Sequence, residues 1–265
     1  PDKYRDFLED LSRAIRIAVE GEAPVVPPPT DNYRMVTTQA QFDWLISKLS
    51  QAKVIAVDLE TRSKNFLADE IICAGFSWKR ETAASLDWNL IRNSKSNRRK
   101  LKEVLETIPG SYQNGSFDVP FLWTQGIEPR YSFDPEIAHW LLDERQGGHS
   151  LEAMATQYYR ATDYKGKFRR KWGLGRYIAD EELFGRLFAA IPLDDMMLYN
   201  ATDADYTYRL TIDLAKECRA QNLLKLHKLL LRATLIFGEL KRDGMLVDQK
   251  YLVKLETKFT RQIEK

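Results

Sequence analysis

The stretch VIAVDLET, residues 54–61, runs four apolar and largely β-branched residues directly into two carboxylates. Such a run predicts a buried strand, and the acids at its end predict that this end lies at the margin of a sheet. Because residues two apart on a strand project to the same side, we expect Asp58 and Glu60 to stand together. At about 4 Å the two charges repel by roughly 1 kcal/mol in water, and by about 4 kcal/mol at an effective dielectric constant of about 20. A hard divalent cation would relieve this repulsion, although an Asp-x-Glu pair after an apolar run also arises by chance.

The composition indicates a globular protein. Its 265 residues are 44% apolar, which is enough for one core with accessory segments, and the formal net charge of +2 says little about partners. Two cysteines, Cys73 and Cys218, exclude a disulfide framework and a CxxC metal site, so we expect a reducing compartment. Neither a membrane-spanning apolar run nor a signal peptide is visible in the sequence. We therefore expect no membrane partner, and a location in the cytoplasm (bacterial or phage type) or in an organelle.

Residues 1–32 are expected to form an amphipathic helix followed by a proline-rich linker. Because the chain begins at Pro1 rather than Met, we expect a fragment of a longer protein. The apolar residues that recur at helical spacing are Tyr4, Phe7, Leu8, Leu11, Ile15 and Ala18. The prolines of residues 24–29 cannot continue a helix.

The flanks of residues 54–61 predict a sheet. A short strand at Tyr33–Val36 and a helix from Thr37 or Thr38 to Leu49 precede it. Strands at Ile71–Trp78 and Ala83–Trp88 follow, with a turn between them, and complete an antiparallel meander. Helices and a further short strand follow this meander, which indicates an α/β fold with flanking helices.

The later segments bring further acids. Helices are predicted at Asn97–Ile108, after the caps Asp134 and Ser150, and over Pro192–Ala220, with a strand at Ser111–Gln113. Two motifs carry the acidic side chains: Asn114-x-x-x-Asp118 at a strand-to-helix junction and Tyr199-x-x-x-Asp203 on the long helix, where positions i and i+4 share a face.

The order and context of these motifs resemble the three exonuclease motifs of the DEDD superfamily, in the tyrosine-bearing subclass that includes ribonuclease D and the proofreading domains of family A DNA polymerases. The histidine-bearing subclass has His five residues before the last aspartate. Here Leu198 stands in that place, and Tyr199 stands four residues before Asp203. The segments FDPEIAHWLLD (133–143) and GHSLEAMA (148–155) are similar to further segments of the same family. The resemblance spans roughly Tyr33 to Arg219 and implies a ribonuclease H-like mixed sheet.

The C-terminal part resembles the start of a family A polymerase module. Residues 231–248 look like a Glu-x-x-Gly-hydrophobic-x-hydrophobic-Asp pattern, with one insertion between Glu239 and Gly244. We therefore expect residues 1–32 to be an N-terminal helix and linker, 33–219 an exonuclease domain, and 220–265 the helical start of a polymerase module. A polymerase module in the same parent chain is the expected protein partner.

The resemblance implies hydrolysis of phosphodiesters with two divalent metal ions, Mg²⁺ or Mn²⁺. Asp58, Glu60 and Asp203 would hold the ion that binds the attacking water. Asp58 would bridge to the second ion, which Asp118 supports through water. Tyr199 has a reference pKa near 10, so it is expected to orient the water with Glu60 rather than to act as a base.

The expected substrate is a single-stranded or frayed 3′ end of DNA, bound through its backbone and by stacking. Residues 165–172 mix five basic residues with two aromatic ones, which fits either a strand-binding loop or a solvated surface loop. Where family members place a leucine that wedges beside the terminal base, Phe66 or Leu67 would have to serve. The candidate substrate contacts are Thr61, Asn114, Phe117, Lys165, Lys167, Arg169 and Arg170; Asn114 could instead hold the local backbone, and Phe117 could pack the motif into the core.

Two alternatives stay open from the sequence. A free-standing RNA-trimming enzyme of the ribonuclease D kind would carry the same motifs, and a non-catalytic nucleic-acid-binding module could keep the fold. The complete acidic set argues against the second alternative.

Overall fold

The computed structural model describes Leu11, Ile15, Val19 and residues 24–68, 70–145, 147–174, 181–244 and 246–263. The predicted N-terminal helix therefore lies almost entirely outside the described residues. The predicted linker is described from Pro24 onward, where Val26 forms an isolated parallel bridge with Ala161.

Six strands form one mixed sheet, which confirms the predicted fold class. The strands are β1 (Tyr33–Val36), β2 (Ile55–Thr61), β3 (Ile71–Lys79), β4 (Thr82–Asp87), β5 (Gly110–Tyr112) and β6 (Tyr131–Phe133). They lie in the order β1-β4-β3-β2-β5-β6. The predicted meander β2-β3-β4 is antiparallel, whereas β1, β5 and β6 pair in parallel with their neighbours. The three-residue strand β6 was not predicted, because so short a strand carries little periodicity of its own.

Helices surround the sheet, and those predicted after the caps Asp134 and Ser150 begin where the sequence predicts. The helices are α1 (Gln39–Leu49), α2 (Asn89–Arg92), α3 (Lys95–Thr107), α4 (Gly115–Thr124), α5 (Pro135–Leu142), α6 (Leu151–Tyr159), α7 (Tyr164–Lys171), α8 (Glu181–Ala189), α9 (Leu193–Ala220), α10 (Leu224–Asp243) and α11 (Gln249–Ile263). Thr38, Asp134 and Ser150 cap α1, α5 and α6 by accepting backbone N–H groups.

The basic segment predicted as a loop is the helix α7. Asp163 caps this helix, because its carboxylate accepts the N–H of Gly166 at 2.7 Å. The helix therefore presents its basic residues on separate faces, whereas a loop would present them along an extended segment. The face that carries Lys165 turns toward α9.

The alternation of β2 sets the two faces of the sheet. Ile55, Val57 and Leu59 enter the main core with residues of α1, α3 and α4. Asp58 and Glu60, one step out of phase, point to the opposite face, where they approach Asp203 of α9. The long helix α9 therefore covers the acidic face, and its position decides the geometry of the site.

A second apolar cluster holds α9 in place. Tyr206, Leu210 and Leu214 of α9 pack with Ala138 of α5 and Met154 of α6.

Further along the chain, α10 leaves an apolar stripe exposed, consisting of Leu226, Leu229, Ile236, Phe237 and Leu240. Among the described residues, no helix combines the length and apolar character that crossing a bilayer requires.

Candidate active site

The three acidic stretches converge at the end of β2. Carboxylate oxygens of Asp58, Glu60 and Asp203 lie within 4.8 Å of one another. Asp58 and Glu60 meet there because they are two apart on a strand, and Asp203 reaches them because α9 crosses that face of the sheet. The predicted convergence of β2 and α9 is what the structure shows.

Asp118 joins the site from the first turn of α4. Strand β5 ends at Tyr112, opposite Val57, so the pairing on that side of β2 stops before Leu59. The Leu59 N–H donates instead to Asp118 Oδ1 at 3.0 Å. Asp118 thus sits between the end of β5 and the two acids of β2, and its side chain is buried.

The pKa values of three carboxyl groups in the site, those of Asp58, Glu60 and Asp118, are raised. Burial, together with the charge of Asp203, raises the pKa of Asp58 to about 8, although Lys165 and Asn200 partly oppose the shift. Burial and the neighbouring charges of Asp58 and Asp203 also raise the pKa of Glu60. Burial and the charge of Asp58 raise that of Asp118. Without a cation, these groups favour the protonated form.

Lys165 of α7 places an ammonium against this cluster. Its Nζ lies 2.5 Å from Asp203 Oδ2, and its side chain is 14% exposed. Burial lowers the pKa of Lys165, but the charge of Asp203 and the nearby Tyr199 and Asp58 outweigh that effect, so the net shift is upward. Tyr164 donates to the other oxygen of Asp203 at 2.7 Å. The start of α7 is therefore part of the site.

Tyr199 lies on the same side of α9 as Asp203. Its ring stacks on Phe168 with centroids 4.3 Å apart, and the Lys165 ammonium lies 5.3 Å from its centroid. Burial and the charge of Asp203 raise its pKa above the ordinary value. The phenol therefore stays protonated at neutral pH and can act as a hydrogen-bond donor.

Asn200 was not foreseen as a site residue. Its amide nitrogen donates to Asp58 Oδ2 at 2.8 Å and to the Asp58 carbonyl at 3.0 Å. Ser85 Oγ donates to Asn200 Oδ1 at 2.6 Å. Asn200 stands three residues before Asp203, so helical spacing places the two on the same side of α9, but its uncharged side chain set it apart from the acidic motifs.

The candidate substrate contacts near the motifs are already bonded within the protein. Thr61 is buried, and its hydroxyl donates to the Ser63 carbonyl at 2.7 Å. Asn114 has φ of +57° and accepts from Ser116 Oγ at 2.6 Å. This geometry favours the role of holding the local backbone, which the sequence left open for Asn114.

Phe117 packs beside the main core. Its ring lies 5.2 Å from that of Phe121, centroid to centroid. Phe66 packs on the same ring, with a centroid distance of 6.3 Å, whereas Leu67 is 63% exposed. Leu67 is therefore the more accessible of the two residues considered for contact with a terminal base.

The basic residues of α7 differ in their partners. Arg169 lies 3.5 Å from a carboxylate oxygen of Glu152, and Arg170 lies 3.0 Å from one of Asp163. Lys167 is exposed. Lys165 points into the acidic cluster and pairs there with Asp203.

The donor set fits a divalent metal site. Oxygen ligands from Asp58, Glu60 and Asp203 are close enough to share one ion, and they are the ligand type that hard cations prefer. Burial and the charges of the neighbouring carboxylates raise the pKa values of Asp58 and Glu60, so the cluster lacks the positive charge that would keep both groups ionised. A bound cation would supply the missing charge.

The curated proteins that are similar to this chain in sequence include two bacterial enzymes named DNA polymerase I. DNA polymerase I of Borreliella burgdorferi is 26% identical over 83% of this chain and 24% of its own length. DNA polymerase I of Pseudomonas aeruginosa is 25% identical over 94% of this chain and 28% of its own length. The chain thus spans about a quarter of the length of these relatives.

Solved structures share the fold. The polymerase domain of Pol1 from M. smegmatis, in complex with DNA primer-template and dNTP, superposes with a TM-score of 0.65 at 14% identity, over 87% of this chain and 35% of that chain. RNase D of Escherichia coli, an exoribonuclease, superposes with a TM-score of 0.53 at 20% identity, over 77% of this chain and 50% of that chain. Both likenesses concern architecture alone.

A family model described as 3′-5′ exonuclease matches residues 33–219. This range starts with β1 and ends near the end of α9, so it contains every acidic residue of the site. The chain therefore belongs to the 3′-5′ exonuclease domain family of family A DNA polymerases.

Proposed function

We propose that this chain is a two-metal 3′-5′ exonuclease that removes nucleotides from the 3′ end of DNA and serves as the proofreading part of a family A polymerase. The observation that carries the proposal is the convergence of Asp58, Glu60 and Asp203 within 4.8 Å, with Asp118 beside them. Four carboxylates from three chain segments suit a pair of hard cations, Mg²⁺ or Mn²⁺.

The proposed reaction divides the work among these side chains. Asp58, Glu60 and Asp203 would hold one ion, and Asp58 with Asp118 would hold the second. The chemistry that such a pair of ions would supply is activation of a water and neutralisation of charge on the leaving oxygen. Glu60 would accept a hydrogen bond from the attacking water. The protonated phenol of Tyr199 would orient that water from the other side.

Lys165 would contribute to the same step. Its ammonium already neutralises part of the cluster through Asp203, and it lies on the side of Tyr199. A scissile phosphate that entered the site would meet this charge. We assign Lys165 to binding that phosphate, and Leu67 to contact with the terminal base.

DNA as substrate and a polymerase module as partner rest on two supports. The curated relatives are named DNA polymerase I. The stripe on α10, with Phe237 at 63% exposed, is apolar enough to pack against a further module of the parent chain. The remaining candidate contacts, Lys167, Arg169 and Arg170, lie on α7 beside the site and would follow the incoming strand.

RNA trimming is the second candidate function. The likeness to RNase D supports it at the level of the fold, and both enzyme classes need the same acidic set. The two candidates differ in how the site would treat a 2′-hydroxyl on the terminal nucleotide.

The test is a timed digestion of 5′-labelled DNA and RNA strands of identical sequence, by wild type and Asp58→Ala, with Mg²⁺ or Mn²⁺ and with chelator. We expect a ladder that shortens from the 3′ end, on DNA faster than on RNA, for wild type with cation alone. Faster digestion of RNA would favour the second candidate. No shortening of either strand by the folded wild type would contradict both.

A further inference from the structure

The strands β2, β3 and β4 align three residues beneath α9. Asp58 pairs with Gly75, and Gly75 pairs with Ser85. Asn200 of α9 lies across this row and bonds to both of its ends, to Asp58 through its amide nitrogen and to Ser85 through its amide oxygen. Asn200 and Ser85 are both fully buried.

Gly75 makes this arrangement possible. A Cβ at Gly75 would lie 2.6 Å from the carbonyl oxygen of Asn200 and 2.9 Å from its Oδ1. Real Cβ atoms do not approach so closely, so any larger residue would push α9 or the Asn200 side chain away from the sheet. The glycine thus allows the amide of Asn200 to lie flat over β3 and reach Asp58.

The chemistry of the row fixes the direction of the amide. The Asp58 carbonyl and an ionised Asp58 carboxylate can only accept hydrogen bonds, so the NH₂ group must face Asp58. The amide oxygen then faces Ser85, whose hydroxyl can donate to it. Every polar atom of the Asn200 side chain is used, and one carboxylate oxygen of Asp58 is held while the other is left for a cation.

We propose that Asn200, supported by Ser85 and accommodated by Gly75, is the positioning residue that orients the Asp58 carboxylate for cation binding. The inference rests on the proposed metal-dependent function and deepens it. Groups that hydrogen-bond a metal ligand typically change metal affinity or activity by about 10-fold to 100-fold when removed. Asn200 acts through Asp58 and needs no contact with the substrate.

The experiment measures Mn²⁺ binding without DNA, by electron paramagnetic resonance, in wild type, Asn200→Ala, Ser85→Ala and the double variant. We expect the half-saturating Mn²⁺ concentration to rise by about 10-fold to 100-fold in Asn200→Ala, and by a smaller factor in Ser85→Ala. The double variant should match Asn200→Ala, because Ser85 acts through the amide. Turnover at saturating Mn²⁺ should fall less than the affinity does.

Thr211→Ala is the matched control. Thr211 is buried on α9 and bonds to Ser111 of β5 at 2.6 Å, so its loss removes a similar contact between helix and sheet. We expect a lower melting temperature with unchanged Mn²⁺ affinity. An equal loss of affinity in this control would overturn the inference, because general loosening of α9 would then explain the effect.

The remaining outcomes are also decisive. A folded Asn200→Ala that binds Mn²⁺ as wild type does would overturn the inference while leaving the proposed function intact. If Asn200→Ala does not fold, Ser85→Ala decides, since weaker binding supports the inference and wild-type binding overturns it. A folded wild type that binds no Mn²⁺ would overturn the proposed function, and the inference with it.

Discussion

Two aspartates on α9, two residues apart, are both buried but differ in their surroundings. Asp205 accepts from Tyr33 Oη at 2.8 Å and from the Glu81 N–H at 2.8 Å, and it pairs with the guanidinium of Arg209. Asp203 also accepts from a tyrosine and a cation, but it faces the carboxylates of Asp58 and Glu60 as well.

The comparison shows how a structural acid differs from a reactive one. The charge of Asp205 is balanced by a single guanidinium in contact with it. At Asp203, one ammonium faces a cluster of several carboxylates, and burial together with the charge of Asp203 raises the pKa of Asp58. Burial is common to both sites, so an excess of charge, rather than burial, marks the site that can take a cation.

Asp203→Asn tests the reactive side and should have the largest effect. We expect kcat/KM on single-stranded DNA to fall by about 10³-fold, since a lost metal ligand costs several kcal/mol of transition-state stabilisation. The metal-free protein should lose less stability than Asp205→Asn does, because removing the charge of Asp203 relieves a repulsion that raises the pKa of Asp58 and lets Asp58 ionise beside Lys165. Digestion rates and urea unfolding measure the two effects, and a variant with wild-type kcat/KM would contradict the assignment.

Asp205→Asn tests the structural side and should give the reverse result. It leaves Arg209 buried without its carboxylate, which costs about 3 to 5 kcal/mol of unfolding free energy for a broken buried pair. Activity per folded molecule should stay close to wild type. If Asp205→Asn instead lost activity without losing stability, the distinction between the two aspartates would fail.

The pH dependence of cation binding follows from the raised pKa of Asp58. Below about 8 the folded, metal-free protein carries a proton on this group, and a cation must displace it. Apparent Mn²⁺ affinity should therefore rise by up to about tenfold per pH unit between roughly pH 6 and pH 8, and level off above. Titration by electron paramagnetic resonance measures this dependence, and an affinity independent of pH would contradict it.

The raised pKa of Asp58 also predicts how the stability of the metal-free protein depends on pH. A carboxyl whose pKa in the folded protein exceeds its unfolded value of about 3.9 opposes folding once it ionises. The metal-free protein should therefore lose stability as the pH rises from roughly 4 to about 8. Saturating Mn²⁺ should cancel most of that loss.

Lys165→Met removes the cation that the protein itself supplies to the cluster. We expect Mn²⁺ affinity to rise by about tenfold, because the metal ion no longer competes with the ammonium for Asp203. Turnover at saturating Mn²⁺ should fall, because the proposed phosphate contact is lost. A decrease in both quantities would show that Lys165 supports the metal site instead of competing with it.

The smallest effect comes from the two tyrosines. Tyr164→Phe and Tyr33→Phe each remove a hydroxyl that donates to one of the aspartates, at a cost of about 1 kcal/mol or roughly fivefold in the folding equilibrium. Mn²⁺ should reduce the loss in Tyr164→Phe, since a cation can replace the donor at Asp203. It should leave the loss in Tyr33→Phe unchanged, and equal responses in calorimetry would contradict this.

The sequence predicted the parts of the site that local periodicity encodes. The apolar run before Asp58 predicts a strand by its β-branched residues, and the spacing of Tyr199 and Asp203 places both on one helical face. The start of α7 was also encoded locally, since aspartate is a favoured N-cap residue and Asp163 holds that position, but the basic composition favoured a loop. The family resemblance, which the matching family model confirms, supplied the order of the motifs.

Contacts that depend on how α9 and α7 dock could not be read from the sequence. Asn200 reaches Asp58 only because Gly75 lets α9 approach β3, and no spacing along the chain encodes that distance. The contact of Tyr164 and Lys165 with Asp203 likewise needs α7 and α9 to lie side by side. Short strands such as β6 depend on their neighbours and carry no clear pattern of their own.

The bond from the Leu59 N–H to Asp118 has a practical consequence for trapping an uncleaved complex. Because Asp118 terminates the sheet where β5 leaves β2, replacing it by alanine would leave a buried amide without an acceptor and disturb the very strand that carries Asp58 and Glu60. Crystallographers who want an inert enzyme with an undistorted pocket should therefore choose Asp203→Asn as the inactivating substitution.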